Sequence, residues 1–296
     1  MALMQYGSTA PDAELVILYG NCQIPFLAHQ LACADVNPRP RGYLCVLNHA
    51  ASGQAVEQPS VADLARCVLY LEQYEYRPRA EVRELLRSGV PAGCPKRVFP
   101  PLVMHSLWPF DVVAQRMPPD ARFVWGRYPM GDAIGLEVAA LGLEIGAAVE
   151  AYWRLSAERM PDLNALLAHD LDRMDQRDRA SDVKIADHVR ENFRRRHLFW
   201  TNRHVSIDLI GELGARLYRA SLPVLGGDEA QGLERIRLGL PALGDGMGDL
   251  QVPIHPQIAR TFGLDYVDET THYRWYDQRW TFHEYLRHYL AADSDW

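Results

Sequence analysis

The sequence has few of the residues that staple or anchor a chain. Its five cysteines, Cys22, Cys33, Cys45, Cys67 and Cys94, are odd in number, unrelated in spacing and form no CxxC pair, which argues against a disulfide framework and against a structural zinc site. No run of about 18 apolar residues occurs to cross a membrane. The opening MALMQYGSTAPDAE lacks the basic and apolar regions of a signal peptide, so the expected location is cytoplasmic, without membrane insertion. There is no basic excess: the net charge is −7, which argues against a generic nucleic-acid binder, and an anionic ligand would have to meet a local basic patch. Repeats and low-complexity tracts are missing, as are the Walker loop, the GxGxxG fingerprint, HExxH and GxSxG, so no motif names a chemistry at once.

What is present is the composition of an ordinary globular protein, 296 residues with 48% apolar and 23% charged residues, long enough to bury a full core without staples. Short apolar runs at Leu15–Tyr19, Tyr43–Asn48, Cys67–Leu71 and Val98–Met104 read as strands, the last interrupted by two prolines that suit an edge or a strand end. Helical stretches separate them: Ile24–Ala34, with Pro25 in its first turn, and Ser60–Ala65. Strands alternating with helices predict βαβ units and a parallel sheet, an α/β fold with its ligands at the carboxyl ends of the strands. Cys22, Asn48, Gln73 and His105 fall at those ends and would share one cleft.

After about residue 130 the pattern becomes helical. Gly131–Leu155 and Met160–Arg179 are helix-like, Ser181-Asp182 is placed to cap a helix from Val183 to about Arg195, Ile207–Arg219 continues the theme, and Gly226–Gly248 reads as a Gly-rich loop. We take residues 11–296 as a single α/β domain: sheet-forming core mainly at 14–130, helical part at 131–225, and C-terminal segment at 249–292.

The stretch ELVILYGNCQ, residues 14–23, places Cys22 where a buried strand turns into a helix. There the helix N-terminus favours a thiolate, and its N–H groups favour a developing oxyanion. A buried small hydrophobe is the competing reading, and it suits the other four cysteines better. A thiol nucleophile needs a base. Of eleven histidines, His255 in VPIHPQIARTFG stands on a loop directly ahead of a helix, and His204 in LFWTNRHVS is second. Arg194-Arg195-Arg196 is either a solvated helix end or a phosphate clamp. Trp108, Phe110, Trp125 and Tyr273–Tyr276 offer rings for stacking, although core packing explains each one alone.

Taken together, GNCQ at residues 20–23, DVKI at 182–185, Leu198-Phe199 followed by Thr201, His204 and Ser206, and PIHP at 253–256 resemble the WcbI family of capsular-polysaccharide biosynthesis proteins, over about residues 14–290. The resemblance implies a three-layer sandwich with a central, mostly parallel sheet similar to SGNH hydrolases and flavodoxin. It also implies an acetyl-CoA-dependent O-acetyltransferase that modifies a sugar of a capsular or related surface polysaccharide, needing no metal. Its donor is a small-molecule thioester and its acceptor a sugar or polysaccharide precursor. Carried over by position, Cys22 is the nucleophile, His255 the base and Gln73 an oxyanion-hole side chain; Gln23, Lys184, Arg196, Arg203 and His204 would contact coenzyme A. Two positions depart from the pattern. Val252 stands where SGNH enzymes have the aspartate that orients the base, with Asp249 six residues before His255, and Arg203 and Val205 flank His204 in place of Asn and Pro. The alternatives are an SGNH-type carbohydrate esterase and a noncatalytic CoA- or nucleotide-binding protein.

Overall fold

The computed structural model describes residues 3–38, 41–49, 57–75, 80–123 and 125–292; the expected domain end at residue 296 lies outside them. In chain order the elements are β1 (Met4–Gly7), β2 (Leu15–Gly20), α1 (Ile24–Ala34), β3 (Gly42–Leu47), α2 (Val61–Ala65), β4 (Cys67–Gln73), α3 (Ala80–Gly89), β5 (Lys96–Phe99), β6 (Asp111–Val112), β7 (Gly131–Asp132), α4 (Ala133–Ala140), α5 (Ile145–Arg159), α6 (Leu163–Arg179), α7 (Ala186–Asn192), α8 (Ile207–Leu225), α9 (Glu229–Gly239), α10 (Pro256–Phe262), β8 (Tyr273–Trp275), β9 (Gln278–Trp280) and α11 (Phe282–Ala291), with a short 3-10 turn at Leu240–Leu243. No described helix is long and apolar enough to cross a membrane.

The chain forms two compact units: residues 1–102, 172–191 and 205–246, and residues 103–171, 192–204 and 247–296. The first is an α/β unit whose five-stranded sheet has the order β1-β3-β2-β4-β5. Strands β2 to β5 pair in parallel, and β1 adds an antiparallel edge, Met4 opposite Cys45 through Gly7 opposite Gly42. Every residue of β2 is buried, which is why that run is apolar without alternation. Leu15, Ile17 and Tyr19 join Leu44, Val46 and Tyr70 in one cluster with Leu64 of α2 and Leu86 of α3. Because β3 and β4 flank β2 on opposite sides, the chain leaves β2 in one direction and returns across it in the other. The carboxyl end of β2 is therefore the switch point at which such sheets bind ligands.

The predicted strands and the first helix recur in the structure, and several segments differ from the sequence reading. Strand β5 spans Lys96–Phe99 and stops at Pro100, short of the expected Met104, since a proline has no N–H to continue a ladder. The outer edge of β5 is met by Asp182, whose carboxylate accepts from Val98 N (2.7 Å) and whose amide donates to Val98 O (2.8 Å). Occupied there, Asp182 caps no helix. α7 begins only at Ala186, where Asp178 Oδ2 accepts from the amides of Ile185 (2.9 Å) and Ala186 (2.8 Å). Residues 226–248 are not simply a loop, because α9 fills much of them. Its Asp228 cap accepts from Gln231 N, and Gly232 packs so close to Tyr218 that a Cβ would meet the phenol oxygen at 2.0 Å. Finally, β1 extends the sheet to residues before the expected core.

The second unit is mainly helical. α4, α5 and α11 enclose a core with Tyr128, Ile134, Tyr152, Trp275, Tyr285 and Tyr289, and two hairpins, β6–β7 and β8–β9, lie within the unit. The expected helix over Gly131–Leu155 is interrupted: β7 takes its first two residues, and α4 and α5 are separate.

Candidate functional site

In the first unit, Cys22 sits in the turn between β2 and α1, half-buried and in no disulfide. The turn is built by Asn21, whose Oδ1 accepts from Gln23 N (2.9 Å) and whose carbonyl accepts from Ile24 N (3.1 Å). With Pro25 next, these bonds use the amides that begin α1. The side chains expected to face a ligand here turn inward. Gln73, 1% exposed, accepts from Asn21 N (2.9 Å) and donates to Gln23 Oε1 (3.0 Å). Gln23, fully buried, also accepts from Leu102 N (3.1 Å) and donates to Leu102 O (2.8 Å). This chain of bonds ties the Cys22 turn to the end of β4. Gly20 is required for that approach, since a Cβ there would lie 2.8 Å from Gln73 Cβ. At the same end of the sheet, Asn48 N donates to Gly20 O (2.7 Å), and the Asn48 side chain and the Tyr19 hydroxyl both donate to Glu75. The structure thus brings Cys22, Asn48 and Gln73 to one end of the sheet, whereas His105 belongs to the second unit.

His255, also in the second unit, caps α10. Its Nδ1 accepts from Gln257 N (3.2 Å), so the neutral ring carries its proton on Nε2 and donates it to Ser156 Oγ (3.2 Å), which in turn donates to Trp153 O (3.2 Å). Ser156 therefore supplies the orienting contact for which the sequence offered no aspartate. Asp249 is exposed and pairs with Arg274 at 3.4 Å. The imidazole is 7% exposed among Tyr152, Trp153 and Phe282, and burial lowers its pKa to about 4, with Arg260 adding to the effect.

A cavity of about 50 Å³ opens beside this ring, lined also by Trp108, Asp111, Asp132, Asn202 and Phe282. Asp111 and Asp132 are opposite one another on β6 and β7. Asn202 Nδ2 donates to Asp111 Oδ2 (2.6 Å); the Tyr152 hydroxyl and Gly135 N donate to Asp132 (2.9 and 2.7 Å). Burial raises the pKa of both carboxyls. The sequence reading did not single out Ser156, Asp111, Asp132 or Asn202; the first three stand in no motif, and Asn202 lies within the LFWTNRHVS stretch, where only His204 was taken as a candidate.

The residues expected to meet phosphates divide as well. Lys184, in the first unit, directs its ammonium at the carbonyls of Asp178 and Ser181, beside the end of α6. Arg196 and Arg203 are exposed in the second unit. The arginine run lies beyond α7 rather than at its end: Arg195 N and Arg196 N turn back to Asn192 O, and Arg194 stacks on Phe193 while donating to Phe262 O. His204 closes a turn in which Thr201 Oγ1 accepts its amide (3.0 Å) and that of Arg203 (3.2 Å); burial lowers the His204 pKa, partly offset by Asp249. Neighbouring His197 is buried against Tyr266 and Trp200, which lowers its pKa to about 3. Among the described residues no cluster of three or more His, Cys, Asp or Glu side chains is arranged to hold a metal.

Comparison with solved structures finds the fold of native WcbI, a polysaccharide biosynthesis enzyme, in the form without a disulfide bond between coenzyme A and one of its cysteines. The match has a TM-score of 0.68 at 18% identity and covers 95% of this chain and 91% of that one. No curated protein sequence matches the chain. The family model for polysaccharide biosynthesis enzyme WcbI matches residues 15–222, from the start of β2 to the last turn of α8, and the chain belongs to that family.

Proposed function

We propose that the protein is an acetyl-CoA-dependent O-acetyltransferase acting in the cytoplasm on a sugar of a capsular or related surface polysaccharide, within a three-layer sandwich of SGNH type. The observation that carries this reading is Cys22, held half-buried at the strand-to-helix turn of the sheet's switch point by the Asn21–Gln73–Gln23 bonds. Family membership supports it, as does the fold shared with native WcbI, in which coenzyme A and a cysteine are not joined by a disulfide.

In this reading the Cys22 thiolate attacks the thioester carbonyl, the bond to the coenzyme A sulfur breaks, and coenzyme A leaves as a thiol after taking a proton. The sugar hydroxyl then attacks the acetyl-enzyme, losing its proton to a general base, and the Cys22 thiolate is released; His255 is our candidate for that base. The basic lone pair is on Nδ1, since Nε2 is committed to Ser156; the acceptor hydroxyl therefore shares or replaces the contact from Gln257 N. Gln73 and Gln23 act as positioning residues for the Cys22 turn. Arg196 and Arg203, exposed and forked, are the guanidinium groups we assign to the phosphates of coenzyme A, with His204 beside Arg203; the Lys184 ammonium meets main-chain carbonyls.

Coenzyme A release from acetyl-CoA, with and without sugar acceptors, tests the reading in Cys22→Ala and Cys22→Ser. Loss in both, or residual activity in Cys22→Ser alone, supports a nucleophile; unchanged turnover in both removes the covalent step. Equal acetate release with and without acceptors indicates an esterase, and acetyl-CoA binding without turnover indicates a binding protein.

A further inference from the structure

The cavity beside His255 contains more polar groups than the proposed chemistry uses. Asp111 and Asp132 face each other across the β6–β7 hairpin, both line the cavity, and neither is ion-paired among the described residues. Their oxygens are not equally engaged. Both oxygens of Asp132 accept, one from Gly135 N and one from Tyr152 Oη, whereas only Oδ2 of Asp111 does, from Asn202. A carboxylate oxygen of half-buried Asp111 with no donor among the described residues, next to a second carboxyl group, favours a ligand that brings hydrogen-bond donors. Burial raises the pKa of both acids, partly offset at Asp111 by the charges of His105 and Arg203 and at Asp132 by its hydrogen bonds. Trp108 and Phe282 add aromatic walls, as expected for a ligand with apolar C–H faces and polar edges.

Volume sets the size of what enters. About 50 Å³ accommodates on the order of three or four waters, comparable to a hydroxymethyl group or a vicinal diol and too small for a whole pyranose ring. We infer that this cavity is a subsite for the hydroxyl-bearing edge of a sugar, with Asp111 Oδ1 accepting from a ligand hydroxyl and Asn202 holding the carboxylate in place. The inference rests on the acyltransferase reading only in naming that sugar as the acceptor. A sugar lacking that hydroxyl leaves the Asp111 carboxylate without a partner.

Saturation-transfer NMR on the full-length protein, without coenzyme A, tests the subsite. The probes are the methyl α-glycosides of glucose, galactose and mannose, with tetramethylammonium as a cationic alternative. At least one glycoside should receive saturation, and its affinity should fall about tenfold or more in Asp111→Leu and Asp111→Asn, as the loss of a hydrogen bond to a charged group implies. Circular dichroism of both variants checks that they fold, and the remote surface variant Glu234→Gln should bind as the parent protein does. Absence of saturation for all three glycosides, unchanged affinity in folded Asp111→Leu, or binding of tetramethylammonium alone would overturn the inference. Acetyl transfer from acetyl-CoA to a sugar, measured separately on the parent protein, distinguishes the two claims: sugar binding without transfer defeats the acyltransferase reading and leaves the subsite, and transfer without sugar binding in this cavity does the reverse.

Discussion

Replacing Gln73 by leucine removes the link between β4 and the Cys22 turn while keeping a similar volume. Gln73 is 1% exposed and makes two hydrogen bonds, accepting from Asn21 N at 2.9 Å and donating to Gln23 Oε1 at 3.0 Å. Leucine makes neither. At a net value of about 1 kcal/mol each, the two bonds account for about 2 kcal/mol. The losses are unequal, because Gln23 Oε1 keeps its contact from Leu102 N (3.1 Å) whereas the Asn21 amide loses the acceptor assigned to it. An orphaned amide adds about 1–2 kcal/mol, for a total of about 3–4 kcal/mol. Urea unfolding should show the midpoint falling by the equivalent amount at unchanged slope. The turn that aims the thiol also loosens, so the rate of Cys22 acylation by acetyl-CoA should fall by about tenfold or more under conditions where the variant is folded. A variant within about 0.5 kcal/mol of the parent, acylated at the parent rate, would refute the positioning role of the Gln73 bonds.

Acid should destabilise the fold through two buried imidazoles. His255 and His197 have native pKa values of about 4 and about 3, against about 6.5 unfolded. Below pH 6.5 the unfolded state takes up protons that the native state refuses, so stability falls by about 1.4 kcal/mol per pH unit per group until the native pKa is reached, and it is fully present above 6.5. Urea midpoints between pH 7.5 and 4.5 check the slope, which should be shallower in His255→Gln. Ser156→Ala leaves the Nε2 proton of His255 without its acceptor in a buried setting, at a cost of about 1–3 kcal/mol; an NMR titration should show a changed His255 tautomer, and an unchanged ring would count against the Ser156 contact.

Much of the sheet was legible because burial on both faces leaves an unbroken apolar run. LVILY reads as β2 with no help from elsewhere, and IPFLAHQLACA has the period and the early proline of α1. The β5 boundary was blurred because the apolar residues Leu102 to Met104 follow Pro100 and Pro101 and prolong the hydrophobic run past the end of the strand. Asp182 looked like a helix cap and instead meets the edge of β5, a partner 84 residues away that no local pattern reveals. Similarly, α9 was hidden by Gly232, which is needed for packing against Tyr218 rather than for flexibility.

The candidate site shows the same division. Cys22 and His255 could be singled out because each stands at a helix start, and the structure places both there. Their supporting residues could not be. Ser156 lies mid-helix in α5, and Asp111 and Asp132 occur in separate short strands joined only by the hairpin. Gln73 was noticed for its position at a strand end, but only the structure shows that its amide faces inward.

The central claim is that Cys22 carries the acyl group. Intact mass analysis after brief incubation with acetyl-CoA, without a sugar acceptor, tests it most directly. The account predicts an added mass of about 42 Da, one acetyl group, on the parent protein, its absence in Cys22→Ala, and its loss on addition of an accepting sugar. An unmodified parent protein that still transfers acetyl to sugar, or an adduct that persists in Cys22→Ala, would contradict it.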